Sequence, residues 1–193
     1  MPAHAAAPVV AVLGDSLSAG YGLASGTGWV DLLARRLAAE GYPHRVVNAS
    51  ISGDTTRGGL ARIAGVLDEH APGVVVVALG GNDGLRGLAV AAMRANLEAI
   101  VSRALDHGSA VVLVGVRLPP NYGSAYTSAF ENAFDTVARR FDIPLAPRLL
   151  EGVAEENGLF QGDRIHPGAQ AQVRMLDNVW PTLQPLLKRQ ARE

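Results

Sequence analysis

The chain has 193 residues, 48% hydrophobic and 18% charged, which is long enough for a substantial core and too apolar for a disordered chain. Its 17 Lys and Arg face 18 Asp and Glu, so its charge favours neither nucleic acid nor an anionic membrane, and no apolar run reaches the length of a membrane span. Cysteine is absent, which excludes thiol nucleophiles, disulfides and cysteine-based metal sites.

The first residues, MPAHAAAP, contain Ala3-His4-Ala5, the small-residue form of a secretory cleavage site without the basic and apolar parts of a signal. The expectation is an exported protein, periplasmic or secreted, behind a new Met; the alternatives are a flexible Ala-rich tail over residues 1–7 and a cytoplasmic home. Short β-branched runs then alternate with segments of helical period. Strands are predicted over 9–13, 44–48, 74–79, 110–116 and 143–146. Helices are predicted over 29–40, 56–70, 89–106 and 126–141, with a last one over 168–187 bent or broken near Pro181. VVVV and AVVLVGV are continuous rather than alternating, as expected of strands covered on both faces. Repeated strand–helix units predict one three-layer α/β/α domain, a doubly wound parallel sheet with helices on both sides.

In open parallel sheets ligands bind beyond the carboxyl ends of the strands. The segments leaving the strands are GDSLSAGYG, ASISGDTT, GGNDGLRG and RLPPNYG, rich in Gly and polar residues; those entering are EGYPH, EHAPG and DHGSA. The chemistry is therefore expected on one edge. That rule sorts the five His residues. His4 is in the tail, and His44, His70 and His107 fall between a helix and the next strand, where a surface His near a helix C-terminus is the ordinary reading. Only His166, in GDRIHPGAQ, returns to the carboxyl edge and is placed to act as a base.

Asp163, three residues before His166, can accept from one imidazole nitrogen and leave the other free to take a proton. The competing role is a turn in which Asp163 caps the next helix. Ser16 ends the exit turn of the first strand. Its ordinary role there is a helix N-cap; with a base alongside it becomes a nucleophile. Asp15 is read as structural, bonding nearby backbone N–H groups. Acyl transfer also needs donors for the developing oxyanion, and three loops offer them: the N–H of Ser16, the N–H of Gly53 and the side-chain amide of Asn82. Each residue alone fits a turn or a cap. Together, on one predicted edge, they fit a hydrolase.

These blocks resemble the SGNH (GDSL) hydrolase family: GDSLS with Ser16, NASISGDTT with Gly53, GGNDGLRG with Asn82, and DRIHP with Asp163 and His166. They stand in the family's order, and they resemble most the bacterial thioesterase I/protease I/lysophospholipase group, also called arylesterases. The resemblance implies a flavodoxin-like five-stranded sheet of order 2-1-3-4-5 and serine hydrolysis of small-molecule acyl esters or thioesters. It implies no cofactor, no metal, a periplasmic home, Ser16, Asp163 and His166 as the catalytic set, and Ser16, Gly53 and Asn82 as the oxyanion hole. Leu79, Leu85, Leu88, Leu118, Pro119 and Tyr122 flank the motif loops and are candidates for an acyl groove, against ordinary packing roles. Gly84, Gly87 and Gly123 are candidate hinges for lid-like loops. The competing readings are a carbohydrate acetylesterase, for which Trp29 and Trp180 are the available sugar platforms, and a flavodoxin-like binding module. GDSLSAG is neither a P-loop nor G-x-G-x-x-G. No partner beyond the substrate is indicated, and oligomeric state and acyl chain length are left open.

Overall fold

The continuous apolar runs form the middle of a parallel sheet. β1 (Val9–Gly14) and β3 (Val74–Ala78) are buried at every residue, and β4 (Ala110–Val114) at all but its first. β2 (Arg45–Asn48) and β5 (Leu145–Ala146) lie on the edges, and the order is β2-β1-β3-β4-β5. The structure, a computed structural model, describes residues 7–146 and 148–190. The Ala3-His4-Ala5 segment lies outside them.

Successive side chains of a strand point to opposite faces, and the core divides accordingly. Val10, Val12, Val74, Val76, Val112 and Val114 pack on one face with α2 (Trp29–Ala39) and α7 (Gln172–Gln190). Leu13, Val75, Val77, Val111 and Leu113 pack on the other with α3 (Thr56–His70), α5 (Val90–Asp106) and α6 (Ser124–Phe141). Two further helices are short: α1 (Ser16–Ala19) and α4 (Gly81–Leu85). Both begin where a strand ends at the carboxyl edge.

The departures from expectation are local. GGND, read as part of a strand-exit loop, opens α4. β4 stops at Val114, short of residue 116, and β5 keeps only Leu145 and Ala146. Of the bend or break expected near Pro181, the break does not occur: α7 continues through Pro181 and Pro185. Proline removes a helical hydrogen bond, but Met175, Leu176, Val179, Leu183 and Leu187 are all buried along this helix, and that packing holds it. His44 is buried at 7% exposure, edge-on to Tyr42, rather than at the surface.

Candidate active site

β1 ends at Gly14, where a Cβ would meet the Ser18 side chain at 2.7 Å, so only glycine lets the chain turn there. Asp15 then caps α1, its carboxylate accepting from the Leu17 N–H at 3.0 Å. Ser16 is the first residue of that single helical turn, which ends at Gly20 in the left-handed conformation. The cap role expected of Ser16 thus belongs to its neighbour, and the Ser16 hydroxyl is left for other work.

The partner arrives from the loop before α7. Gln161 N–H donates to His166 O at 2.8 Å, Arg164 N–H donates to Gln161 O at 2.9 Å, and Arg164 has φ +58°. The turn so formed presents Asp163 and His166 to each other. Asp163 Oδ1 accepts from the Ile165 and His166 N–H groups at 2.9 and 3.0 Å. His166 Nδ1–H donates to Asp163 Oδ2 at 2.7 Å, and the Ser16 hydroxyl donates to His166 Nε2 at 2.9 Å. The His166 N–H, the imidazole and the Ile165 N–H together hold the Asp163 carboxyl down at about 2. A carboxylate ionised at neutral pH fixes the proton on Nδ1 and leaves Nε2 as acceptor.

Gly53 and Asn82 follow β2 and β3, the two neighbours of β1. Gly53 has φ +79°, a conformation that side chains rarely adopt, and neither its N–H nor that of Ser16 donates a hydrogen bond to the described residues. Asn82, early in α4, donates one amide hydrogen to Asp15 Oδ2 at 3.3 Å. Burial raises the Asp15 carboxyl to about 6, against the opposing pull of the Leu17 N–H, the Asn82 amide and His166. Two arginines lace the three loops. Arg62 donates to Gly14 O at 3.1 Å, to Ala49 O and to Asp54 at 2.8 Å; Arg86 donates to Gly53 O at 2.9 Å.

The chain as a whole resembles known proteins. Residues 12–174 match the model of the GDSL-like lipase/acylhydrolase family. The chain belongs to that family. It is 53% identical to esterase TesA of Pseudomonas aeruginosa over 95% of this chain and 92% of the relative. It is 41% identical to thioesterase 1/protease 1/lysophospholipase L1 of Escherichia coli K12, over 95% and 86%. The crystal structure of the psychrotrophic esterase EstA from Pseudoalteromonas sp., inhibited by monoethylphosphonate, superposes with a TM-score of 0.89 at 35% identity, covering 93% of this chain and 98% of that one.

Within this GDSL-family chain the acyl-groove candidates separate. Leu85 and Leu88 are exposed at 41% and 44%, and Pro119 is exposed. Tyr122 is half-buried and its hydroxyl donates to Leu85 O at 2.9 Å, while Tyr126 donates to Leu88 O at 2.8 Å. Leu79 and Leu118 are corrected to core residues: both are buried, Leu79 against α3 at Gly59 and Leu118 against α4 at Gly84. Trp29 is fully buried, and Trp180 packs on Tyr42 and under Arg36. Neither tryptophan offers a sugar platform at the site. Two surface depressions lie beside β5 and α6 and between α5 and α6, and no residue of the Ser16–His166–Asp163 set lines them. Among the described residues no cluster of three or more His, Asp or Glu is arranged to hold a metal ion, and no helix is long and apolar enough to cross a membrane. The residues that sequence reasoning missed are Arg62, Arg86, Tyr21 and Gln161. Their signal was weak because each acts through a loop distant in sequence.

Proposed function

We propose that the chain is a carboxylic ester hydrolase that cleaves small-molecule acyl esters and thioesters through an acyl-enzyme on Ser16. The observation that carries this reading is the unbroken hydrogen-bond chain from Ser16 Oγ through the His166 ring to Asp163. His166 Nε2 takes the Ser16 proton as Oγ attacks the acyl carbonyl, and the ionised Asp163 stabilises the imidazolium that forms. The Ser16 and Gly53 N–H groups and the second Asn82 amide hydrogen stabilise the oxyanion. His166 then protonates the leaving alcohol, phenol or thiol. Water, deprotonated by the same imidazole, releases the acid and restores Ser16.

Relatives named esterase and thioesterase 1/protease 1/lysophospholipase L1 support this substrate class. The buried Trp29 and packed Trp180 count against the carbohydrate acetylesterase. A periplasmic location belongs to the same proposal; it rests on the family resemblance and is tested by fractionating the native host.

Labelling with an alkyl fluorophosphonate tests the mechanism. Wild-type protein is expected to gain one adduct by intact mass and lose p-nitrophenyl acetate hydrolysis in parallel, while folded Ser16→Ala gains none. An adduct on Ser16→Ala would remove Ser16 as the nucleophile.

A further inference from the structure

Two of the large apolar side chains left exposed, Tyr21 at 52% and Ile165 at 53%, stand on the loops that carry Ser16 and His166. The Tyr21 ring lies 4.5 Å from the His166 ring, tilted by 41°. This neighbourhood is braced. Gln161 Nε2 donates to Tyr21 O at 2.8 Å and to Pro167 O at 3.1 Å, while the Gln161 backbone N–H donates to His166 O at 2.8 Å. The carboxamide of Gln161 occupies the space a Cβ on Gly22 would need. One glutamine therefore ties the loop after β1 to the loop before α7 and leaves an exposed aromatic face beside the imidazole.

The direction of proton transfer says what meets that face. When the tetrahedral adduct on Ser16 collapses, the oxyanion's electron pair re-forms the carbonyl. The bond to the leaving oxygen or sulfur breaks with its pair going to that atom, which takes the proton His166 Nε2 had removed from Ser16. The leaving atom must then stand about 3 Å from Nε2, so whatever it carries lies against the groups that flank His166. Tyr21 lies across the ring, and Ile165, next to His166 in the chain, is exposed on the same loop. We propose that Tyr21 and Ile165 form a leaving-group subsite that selects apolar, above all aromatic, alcohol portions, distinct from the acyl side near Leu85 and Leu88. This rests on the ester-hydrolase reading.

Two ester series with wild type, Tyr21→Ala, Tyr21→Phe and Ile165→Ala test it. Phenyl and 2-naphthyl acetate share an acyl group and have leaving groups of similar acidity, differing in apolar area. p-Nitrophenyl acetate, butyrate and hexanoate share a leaving group and differ in acyl length. Both side chains are half-exposed, so the variants leave the core intact. Tyr21→Ala is expected to lower the naphthyl-to-phenyl ratio of kcat/KM roughly three- to tenfold, the scale of a lost aromatic contact. Ile165→Ala is expected to lower it less, Tyr21→Phe to keep it, and the acyl series to keep its ratios in all three. Equal loss on every ester, with a moved acid limb of the pH profile, would overturn the subsite and make Tyr21 a positioning residue for His166. Altered acyl preference with an unchanged naphthyl ratio would overturn it equally. If wild-type protein hydrolyses none of these esters, the underlying reading fails instead.

Discussion

Asp15 is held in the folded state against its own charge. Its side chain is buried next to Ser16, and burial raises its carboxyl from 3.8 to about 6. A raised carboxyl binds its proton more tightly in the folded than in the unfolded chain, so its contribution to stability is fully favourable below 3.8 and is lost as pH rises to about 6. Asp163 has the opposite sign. Lowered to about 2, it contributes above 3.8 and its contribution disappears as pH falls through 2. Asp15→Asn keeps the shape and removes the buried charge. The urea midpoint at pH 7 is therefore expected to rise above wild type, with the gap closing as pH is lowered toward 4. Turnover is expected to move the other way, because the anionic acceptor that aims Asn82 is gone. The kcat loss should fall short of the 10²–10³ seen when an oxyanion donor is removed outright. A lower midpoint at pH 7 would mean that the hydrogen bonds of the ionised group outweigh its desolvation. Residue type and spacing pointed to Ser16, Asp163 and His166, and hydrogen bonds join the three in the structure. The same reading makes Asp15 a backbone partner, which holds at Leu17, but the contact with Asn82, 67 residues away, has no local signal.

At the level of elements, helices and strands place the loops, and long polar side chains keep them in register. α3 contributes Arg62, whose guanidinium joins Gly14 O at the end of β1, Ala49 O beyond β2 and Asp54 beside Gly53. Arg62→Ala takes the side-chain donor from the Ala49 carbonyl, leaves Gly14 O with the Ile51 N–H and leaves the Asp54 carboxylate with the Thr55 N–H. Charge-assisted hydrogen bonds of this kind contribute about 1.5–3 kcal/mol, so a stability loss of about 2–4 kcal/mol is expected by urea titration. kcat/KM for p-nitrophenyl acetate is expected to fall at least tenfold, since small displacements of positioned donors weigh heavily on rate. Stability loss with full activity in the folded fraction would limit Arg62 to a structural role. The main helices and all five strands were legible from apolar periodicity. α4 was not, because GGNDGL has two adjacent glycines and reads as a turn; it forms where Gly84 fits against Leu118 and Phe130. The continuity of α7 through two prolines was hidden for a similar reason. Local propensity argued for a break, and burial against the sheet decided otherwise.

Across the whole molecule, core and site meet at the carboxyl edge, and Leu118 shows how. Its place in the RLPPNYG loop suggested a groove residue, but burial is set by what packs around a side chain in three dimensions, which spacing along the chain does not report. Leu118 is 4% exposed and fills the space against Gly84, so that a Cβ on Gly84 would meet its methyls at 2.6 and 2.9 Å. It therefore packs under the helix that carries Asn82. The two roles predict different phenotypes for Leu118→Ala. A groove residue, once truncated, shifts acyl chain-length preference at little cost to stability. A core residue costs about 2–5 kcal/mol through lost burial and the cavity left behind. It also lowers kcat for every chain length by a similar factor, as α4 loosens and Asn82 with it. Urea unfolding together with a p-nitrophenyl ester series from acetate to decanoate separates them. The expected result is a lowered midpoint and parallel loss along the series; a changed optimum chain length at unchanged midpoint would return Leu118 to the groove. Leu85→Ala, at the exposed last residue of α4, whose carbonyl accepts from Tyr122, supplies the contrast, with chain-length preference altered and the midpoint held.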